Sequence, residues 1–364
     1  MQRSEPELEQ AVRNSTAARR EIQAIADAAR ARHGWLAHQD TIGLTIFLVS
    51  TGAVLGGAAA YAYGVLPAWL AVVSAAFFMS LLHELEHDLI HRLYFKDHPV
   101  LYATMMVGVW LLRPSTINPF VRRDWHLHHH RVSGTATDLE ERALANGERW
   151  GPRRLFMTFD SFLAFALRPR TAREMLLGYA SAQKPKTHEE YMRIRLRNLF
   201  SPFPLGHLHF GIWYLFLFVH ALGLLSPSLA ASLPDVVQRS MSTVDFLVVV
   251  LVIPNVLRSF CLHFVSSNIH YYEDIESRNI VQQTQVWCSP WVIPLQLFCF
   301  NFGSTHAIHH FVVQEPFYLR QLIAGEAHKV MREHGVRFND FGTLLRANRW
   351  TRVHQGAKRP LLVP

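Results

Sequence analysis

The sequence predicts an all-α integral membrane protein. About four transmembrane helices form two hairpins, joined by interfacial helices and a cytoplasmic helical cap. Three observations carry that prediction. Half of the 364 residues are hydrophobic. They are gathered in long blocks: residues 41–63, 64–82, 210–234 and 246–257 hold no charged side chain. The basic residues behind the net charge of +8 lie between those blocks. An uncharged stretch of about 18 or more residues is long enough to cross a bilayer as a helix.

Taken in order, residues 5–32 read as an amphipathic helix. Leu8, Val12, Ile22 and Ile25 stand against many Arg and Glu, as in a solvated helix lying on a membrane surface. Spans are expected at about 41–63, 66–86, 208–230 and 244–266. The first two meet in an uncharged hairpin, Gly64-Val65-Leu66-Pro67. The apolar pieces 99–112 and 291–302 are too short to cross and suit interfacial or re-entrant helices. Pro114 and Pro119 break the chain after the first of them. A basic cap of about 113–207 includes helical-looking stretches at 171–181 and 188–199. Three regions follow: a 1–40 amphipathic segment, a 41–315 membrane domain with its cap, and a 316–364 C-terminal region of mixed helix and loop.

A charge of +8 on a soluble chain would suggest nucleic acid. Here Lys and Arg crowd into 1–40, 113–200 and 303–364, whereas the connections 64–67 and 227–242 hold only Arg239. Cytoplasmic segments carry the basic excess. Both termini and the cap are therefore expected on the cytoplasmic side of a multi-pass inner (cytoplasmic) membrane protein, with no nucleic-acid partner. Cys261, Cys288 and Cys299 form no CxxC pair, which argues against a disulfide framework and an iron–sulfur site. The first apolar run starts near residue 41, so no signal peptide is expected.

Histidines gather in three boxes, HELEHDLIH (83–91), HLHHH (126–130) and HAIHH (306–310), with a weaker group in HFVSSNIHYYED (263–274). His83, His87 and His91 are spaced by four and share one helix face. His126 and His129 share a face, with His130 one step around it, and His306, His309 and His310 repeat the arrangement. Under the proposed topology all the boxes reach one depth. So many imidazoles exceed the need of a single tetrahedral zinc, and a pair of metals is the simpler account. Imidazole alone suits Zn, Cu, Fe or Ni. Histidines outside the boxes, at 33, 38, 98, 207, 209, 220, 328, 334 and 354, read as structural. His128 lies off the HxxHH pattern, and His83 is either a ligand or a neighbour.

HxxxH, HxxHH and HxxHH, in that order with spans between, resemble the membrane fatty acid desaturase and hydroxylase superfamily over most of residues 40–320. The resemblance implies two iron ions (Fe2+), O2 as cosubstrate, and electrons from NAD(P)H through a separate redox protein. It implies as ligands His87 and His91, His126, His129 and His130, and His306, His309 and His310, with His83 a possible addition. "HYY" at 270–272 resembles the segment in which relatives place a further ligand, here His270. Some relatives carry an Asn four residues earlier; that position is Ser266, and Asn268 lies two before. In the stretch TATDLEE, Asp138 and Glu140 would orient ligand histidines, with Asn268 and His128 also close to the ligands. Arg122, Arg123 and Arg131, with Arg92, would face substrate or electron donor. The implied substrate is a fatty acid or fatty acyl chain in membrane lipid. The implied activity is foremost desaturation; hydroxylation and oxidative decarboxylation of free acids to 1-alkenes are alternatives. With no HPGG motif in the chain, a ferredoxin or rubredoxin is the expected donor. A rival reading takes HELEH as a zinc protease motif, with Glu84 as base and His83 and His87 as ligands. It leaves two HxxHH boxes without a role. A metal transporter would want polar residues deep in several spans, and these spans are nearly pure hydrocarbon.

Overall fold

The computed structural model describes residues 5–276 and 279–351. His354 and the rest of the tail lie outside the described residues, as does the side chain of Leu8. Among the described residues there is no strand, and only two isolated β-bridges occur.

Helix α1 (Glu5–Arg32) precedes the first hairpin, α2 (Gln39–Ala62) and α3 (Ala68–Ile90). Gly64 turns that hairpin at φ +71°, in the left-handed region that favours glycine. Exposed Tyr63 and Trp69 flank the turn, as aromatic side chains do at membrane interfaces. Helix α4 (Pro99–Leu111) starts with Pro at its first position and packs on α3. Its 13 residues span about 20 Å, too short to cross.

The cap comprises α5 (Pro119–Val132), α6 (Leu139–Ala143), α7 (Pro152–Phe159), α8 (Ser161–Ala166), α9 (Pro169–Ala182) and α10 (His188–Leu199). The Asn118 side chain accepts from Phe120 N and Asp138 from Glu141 N, so each caps the helix that follows it. Val121, Trp125, Leu139, Met175 and Tyr179 form the cap's own apolar core.

The second hairpin is α11 (Leu205–Leu225), the short α12 (Pro227–Ala231), and a continuous helical rod, Asp235–Ile269. The rod consists of α13 (Asp235–Leu247), a π turn (Val248–Val252) and α14 (Ile253–Ile269). Pro254 has no N–H to donate four residues back, so the helix widens just before it and continues. Among the described residues, four helices are thus long and apolar enough to cross a membrane, as expected, although the last begins about nine residues early. α2 and α11 leave most of their apolar surface outward, while α3 and the rod are half buried and α3 packs against α14. This inner pair carries the first histidine box and His270.

After α15 (Ile280–Gln283), the piece expected as one interfacial helix at 291–302 is broken. It holds a 3₁₀ turn, α16 (Ile293–Gln296), and a bend in which Phe300 and Asn301 both take positive φ. The Asn301 amide donates to Gln321, which holds the bend. The bend launches α17 (Phe302–Phe311), the helix of the third box, and α18 (Phe317–Glu333) follows.

Helix α1 departs from its expected place on the lipid surface. Its Ala18, Ile22, Ala26 and Ala29 pack on Ile308, Phe311, Leu319 and Ile323 of α17 and α18. Arg19 donates to Phe311 O, and both Gln23 and Arg30 reach Glu315. The stripe at 18, 22, 26 and 29 is an ordinary buried helix face whose partner lies about 290 residues downstream (292 for the Arg19–Phe311 contact). Ile22→Asp should therefore loosen α1, and tryptic cleavage within residues 13–32 should speed up several-fold in detergent. Unchanged cleavage would show that the helix is held by something other than this packing.

Candidate metal centre

Four elements deliver imidazoles to one volume. His87 sits in the last turn of α3 and His91 caps it. His126, His129 and His130 occupy one face of α5, and His306, His309 and His310 one face of α17. His270 is the first residue after α14, where the chain turns extended. Two groups, His87/His91/His126/His309 and His129/His270/His306/His310, bring one ring nitrogen each to within 4.8 Å of one another. Partly buried His130 stands with the first group: its Nε2 is 3.0 Å from His126 Nε2 and 2.9 Å from His309 Nε2. The other eight are nearly or fully buried, His91 being the most exposed at 9%.

Tautomers follow from the outward nitrogens. His126 Nδ1 is 2.7 Å from Glu140, and His129 Nδ1 is 2.8 Å from Asp138. His270 Nδ1 is 2.9 Å from Ser266 O and 3.2 Å from Glu141, and His310 Nδ1 is 2.9 Å from Gln283 Oε1. Carboxylates and carbonyls accept but do not donate, so each of these Nδ1 atoms carries the proton. A neutral ring then offers a bare lone pair at Nε2. Burial pushes His126, His130, His306, His309 and His310 well below the ordinary pKa, and neighbouring positive charges add to it. Burial works the same way on His129, but Asp138 and Glu140 outweigh it and lift that ring to about 9. Asp138 thus favours positive charge on the His129 ring, whether a proton or a metal brings it.

These facts test whether a metal fits. Nε2 faces Nε2 at 3.0 Å for His91–His126 and at 3.2 Å for both His270–His306 and His306–His310. At least one Nε2 of each pair is a bare lone pair, so either the facing ring gives it a proton or a shared cation lies between them. Two nitrogens each about 2.1 Å from one cation, about 90–110° apart, stand about 3.0–3.4 Å from each other. The spacing is that of ligands around shared ions. Neither ring nitrogen of buried His87 has a hydrogen-bond partner among the described residues, which fits a nitrogen reserved for a metal. An all-imidazole set suits iron as well as zinc, copper or nickel.

The sequence pointed to Asp138 and Glu140, and the structure sets them against His129 and His126. It did not point to Glu141, whose carboxylate also accepts from Ser266, or to Gln283. Glu141 had a signal, one place on in the same acidic stretch; Gln283 had none. Asn268 turns away: it accepts from Trp150 and donates to Phe264 O. His128 faces Gln183 and Tyr179 in the cap. His83 stands apart from both groups, with its Nδ1 accepting from Arg113 at 2.9 Å.

A buried charge network surrounds the first box. Asp88 accepts from Tyr94 OH and Phe317 N at 2.9 Å and from Arg320 at 3.0 Å, tying the end of α3 to the start of α18. Arg320 also reaches Glu84 at 3.6 Å, so the glutamate of HELEH is engaged in an ion pair. Glu86 pairs with Arg113 and, at 3.1 Å, with Arg122. Arg122 also holds Glu140, and Arg123 donates to Ile90 O at the end of α3. These two arginines were expected to face substrate or donor; they are committed inside the protein instead. Arg131 is exposed, and Arg92 lies over the Tyr102 ring.

A family model described as "Fatty acid desaturase" matches residues 63–342. No curated protein matches the chain.

Loss of a group that orients a metal ligand typically costs 10–100-fold in affinity. Asp138→Ala and Glu141→Ala should each lower metal retention by about that factor, measured by chelator competition on purified protein. Full retention in both would show that these carboxylates do not serve a metal.

Proposed function

This chain belongs to the fatty acid desaturase family, and we propose that it uses O2 to desaturate a fatty acyl chain at a histidine-ligated di-iron centre. The observation that carries the reading is the convergence of imidazole lone pairs in a buried volume, their outward nitrogens held by Asp138, Glu140, Glu141 and Gln283. In this reading His87, His91, His126, His130 and His309 hold one iron. His129, His270, His306 and His310 hold the other.

Iron bound there would supply the reduction of O2 to two waters, taking two electrons from the C–H bonds of the chain and two from a donor. The protein's own part is positioning. The carboxylates fix each Nδ1 proton and so aim each Nε2. Burial keeps bulk water away. The Asp88–Arg320 pair ties the first box to α18, the helix that follows the third. An apolar groove of about 490 Å³, lined by Phe77, Val292, Leu297 and Phe300, reaches Ser304, two residues before His306. Its size suits a ligand pocket, and its lining suits an acyl chain.

The same ligands serve hydroxylation and oxidative decarboxylation; placement of the substrate separates the three outcomes. The four apolar helices support an integral membrane protein. The basic excess on the cap and at both ends supports a cytoplasmic site, taking electrons from NAD(P)H through a ferredoxin or rubredoxin.

Membranes carrying the protein, supplied with iron, a reducing system and C10–C18 fatty acids or acyl thioesters, should yield an O2-dependent internal alkene by mass spectrometry. A hydroxy acid or a volatile 1-alkene one carbon shorter would replace desaturation with the corresponding outcome. No O2-dependent product, together with a single zinc in the purified protein, would overturn the reading. His126→Ala should lower any such activity by at least about 100-fold, because it removes both a nitrogen and the anchor of Glu140.

A further inference from the structure

Arg258 sits on α14, in the second half of the helical rod, and is 1% exposed. None of its three guanidinium nitrogens has a hydrogen-bond partner among the described residues. An unpaired buried cation is strongly unfavourable in a protein interior, and more so at the level of a membrane.

The neighbourhood does not supply the missing anion. The charge of Arg258 is felt at His83, Arg113, Arg122, His209 and His263, groups that are themselves basic. Arg113 and Arg122 share the single carboxylate of Glu86. Glu140, the second partner of Arg122, is already held by His126. Asp88 goes to Arg320, and Glu84 reaches Arg320 at 3.6 Å and acts on Arg113. His209 on α11 is buried with its Nδ1 unpartnered among the described residues. Arg258 is therefore left without a carboxylate of its own among the described residues, at a place where α3, α11 and α14 supply basic groups.

We propose that Arg258 binds the carboxylate of a free fatty acid, so that the substrate is recognised as the acid and not as an ester or thioester. This rests on the acyl-oxidising reading above and names its substrate class. A thioester or ester brings only an uncharged carbonyl and leaves the guanidinium unpaired. A carboxylate matches its two-pronged geometry. The charge of Arg258 is also felt at Cys299, which lies in sequence between Leu297 and Phe300 of the apolar groove, so the chain of an acid held at Arg258 has that groove to enter. His83 lies one turn, about 6 Å, from His87 along α3.

The test is calorimetric binding of dodecanoic acid and of methyl dodecanoate to the purified full-length protein in detergent. Wild type should prefer the acid by at least about 30-fold, the least expected of a buried charge pair. Arg258→Gln should bring the ratio close to one by weakening the acid alone, and Arg258→Lys should restore part of it. Equal binding of acid and ester by wild type, or unchanged acid binding by Arg258→Gln, overturns the assignment and leaves the acyl-oxidation reading standing. Binding of neither ligand also overturns the assignment, and the product analysis above then decides the acyl-oxidation reading. If Arg258→Gln does not fold, the wild-type ratio and the Arg258→Lys variant decide.

Discussion

The structure depends on one electrostatic constraint: many imidazole lone pairs aimed at a small shared volume. Neutral rings do not gather this way by packing, because facing lone pairs repel and each buried polar nitrogen costs free energy. The arrangement holds together when the outward nitrogens are satisfied by fixed acceptors and the inward ones share cations. Asp138 and Glu141 do this from the short loop and helix that follow α5, and Gln283 from the segment after α14. The short connections around the site therefore carry the acceptors, and their side chains fix the rings that the long helices deliver.

The second requirement is to hold three boxes, far apart in sequence, in register with one another. Van der Waals packing between apolar helices is tolerant of sliding, so it sets register weakly. Ion pairs and hydrogen bonds do not tolerate it. Asp88 receives Tyr94, Arg320 and the Phe317 amide at once, and the Tyr94 ring lies so close to α2 that Gly43 has no room for a Cβ, which would stand 2.6 Å away. One carboxylate thus links α2, α3 and α18. Such buried networks contribute less to net stability than their number of contacts suggests, but losing one member leaves a buried charge uncompensated. Arg258 is the place where that rule is left open, and a ligand with a negative head closes it.

The outer elements are scaffolding with a clear division of labour. α2 and α11 turn apolar surface outward and hold little polar chemistry. α1 lies across α17 and α18 and shields the far side of the third box, which explains why its small residues face inward. The cap folds on its own core of Trp125, Met175 and Tyr179, and this fixes the rotation of α5 that turns His126, His129 and His130 toward the other boxes.

How much of this the sequence determined follows from the range of the forces involved. Helix, span and box are local patterns. Runs without charge mark α2, α3, α11 and the rod; four-residue spacing puts His87 and His91 on one face; HxxHH does the same for α5 and α17. Pro254 in the rod and Asp138 before α6 act within a turn of themselves, so the π turn and the helix cap are local effects as well. Partner choice was not. The face of α1 that meets α17, the commitment of Arg122 and Arg123 to internal contacts, and the recruitment of Gln283 to His310 each join residues far apart in sequence, and many basic residues could have filled such roles. An amphipathic stripe looks the same whether lipid or protein covers it, and a guanidinium the same whether paired or bare. Tertiary structure alone decides these, because burial and geometry determine which polar groups must find a partner and which one is left waiting for a ligand.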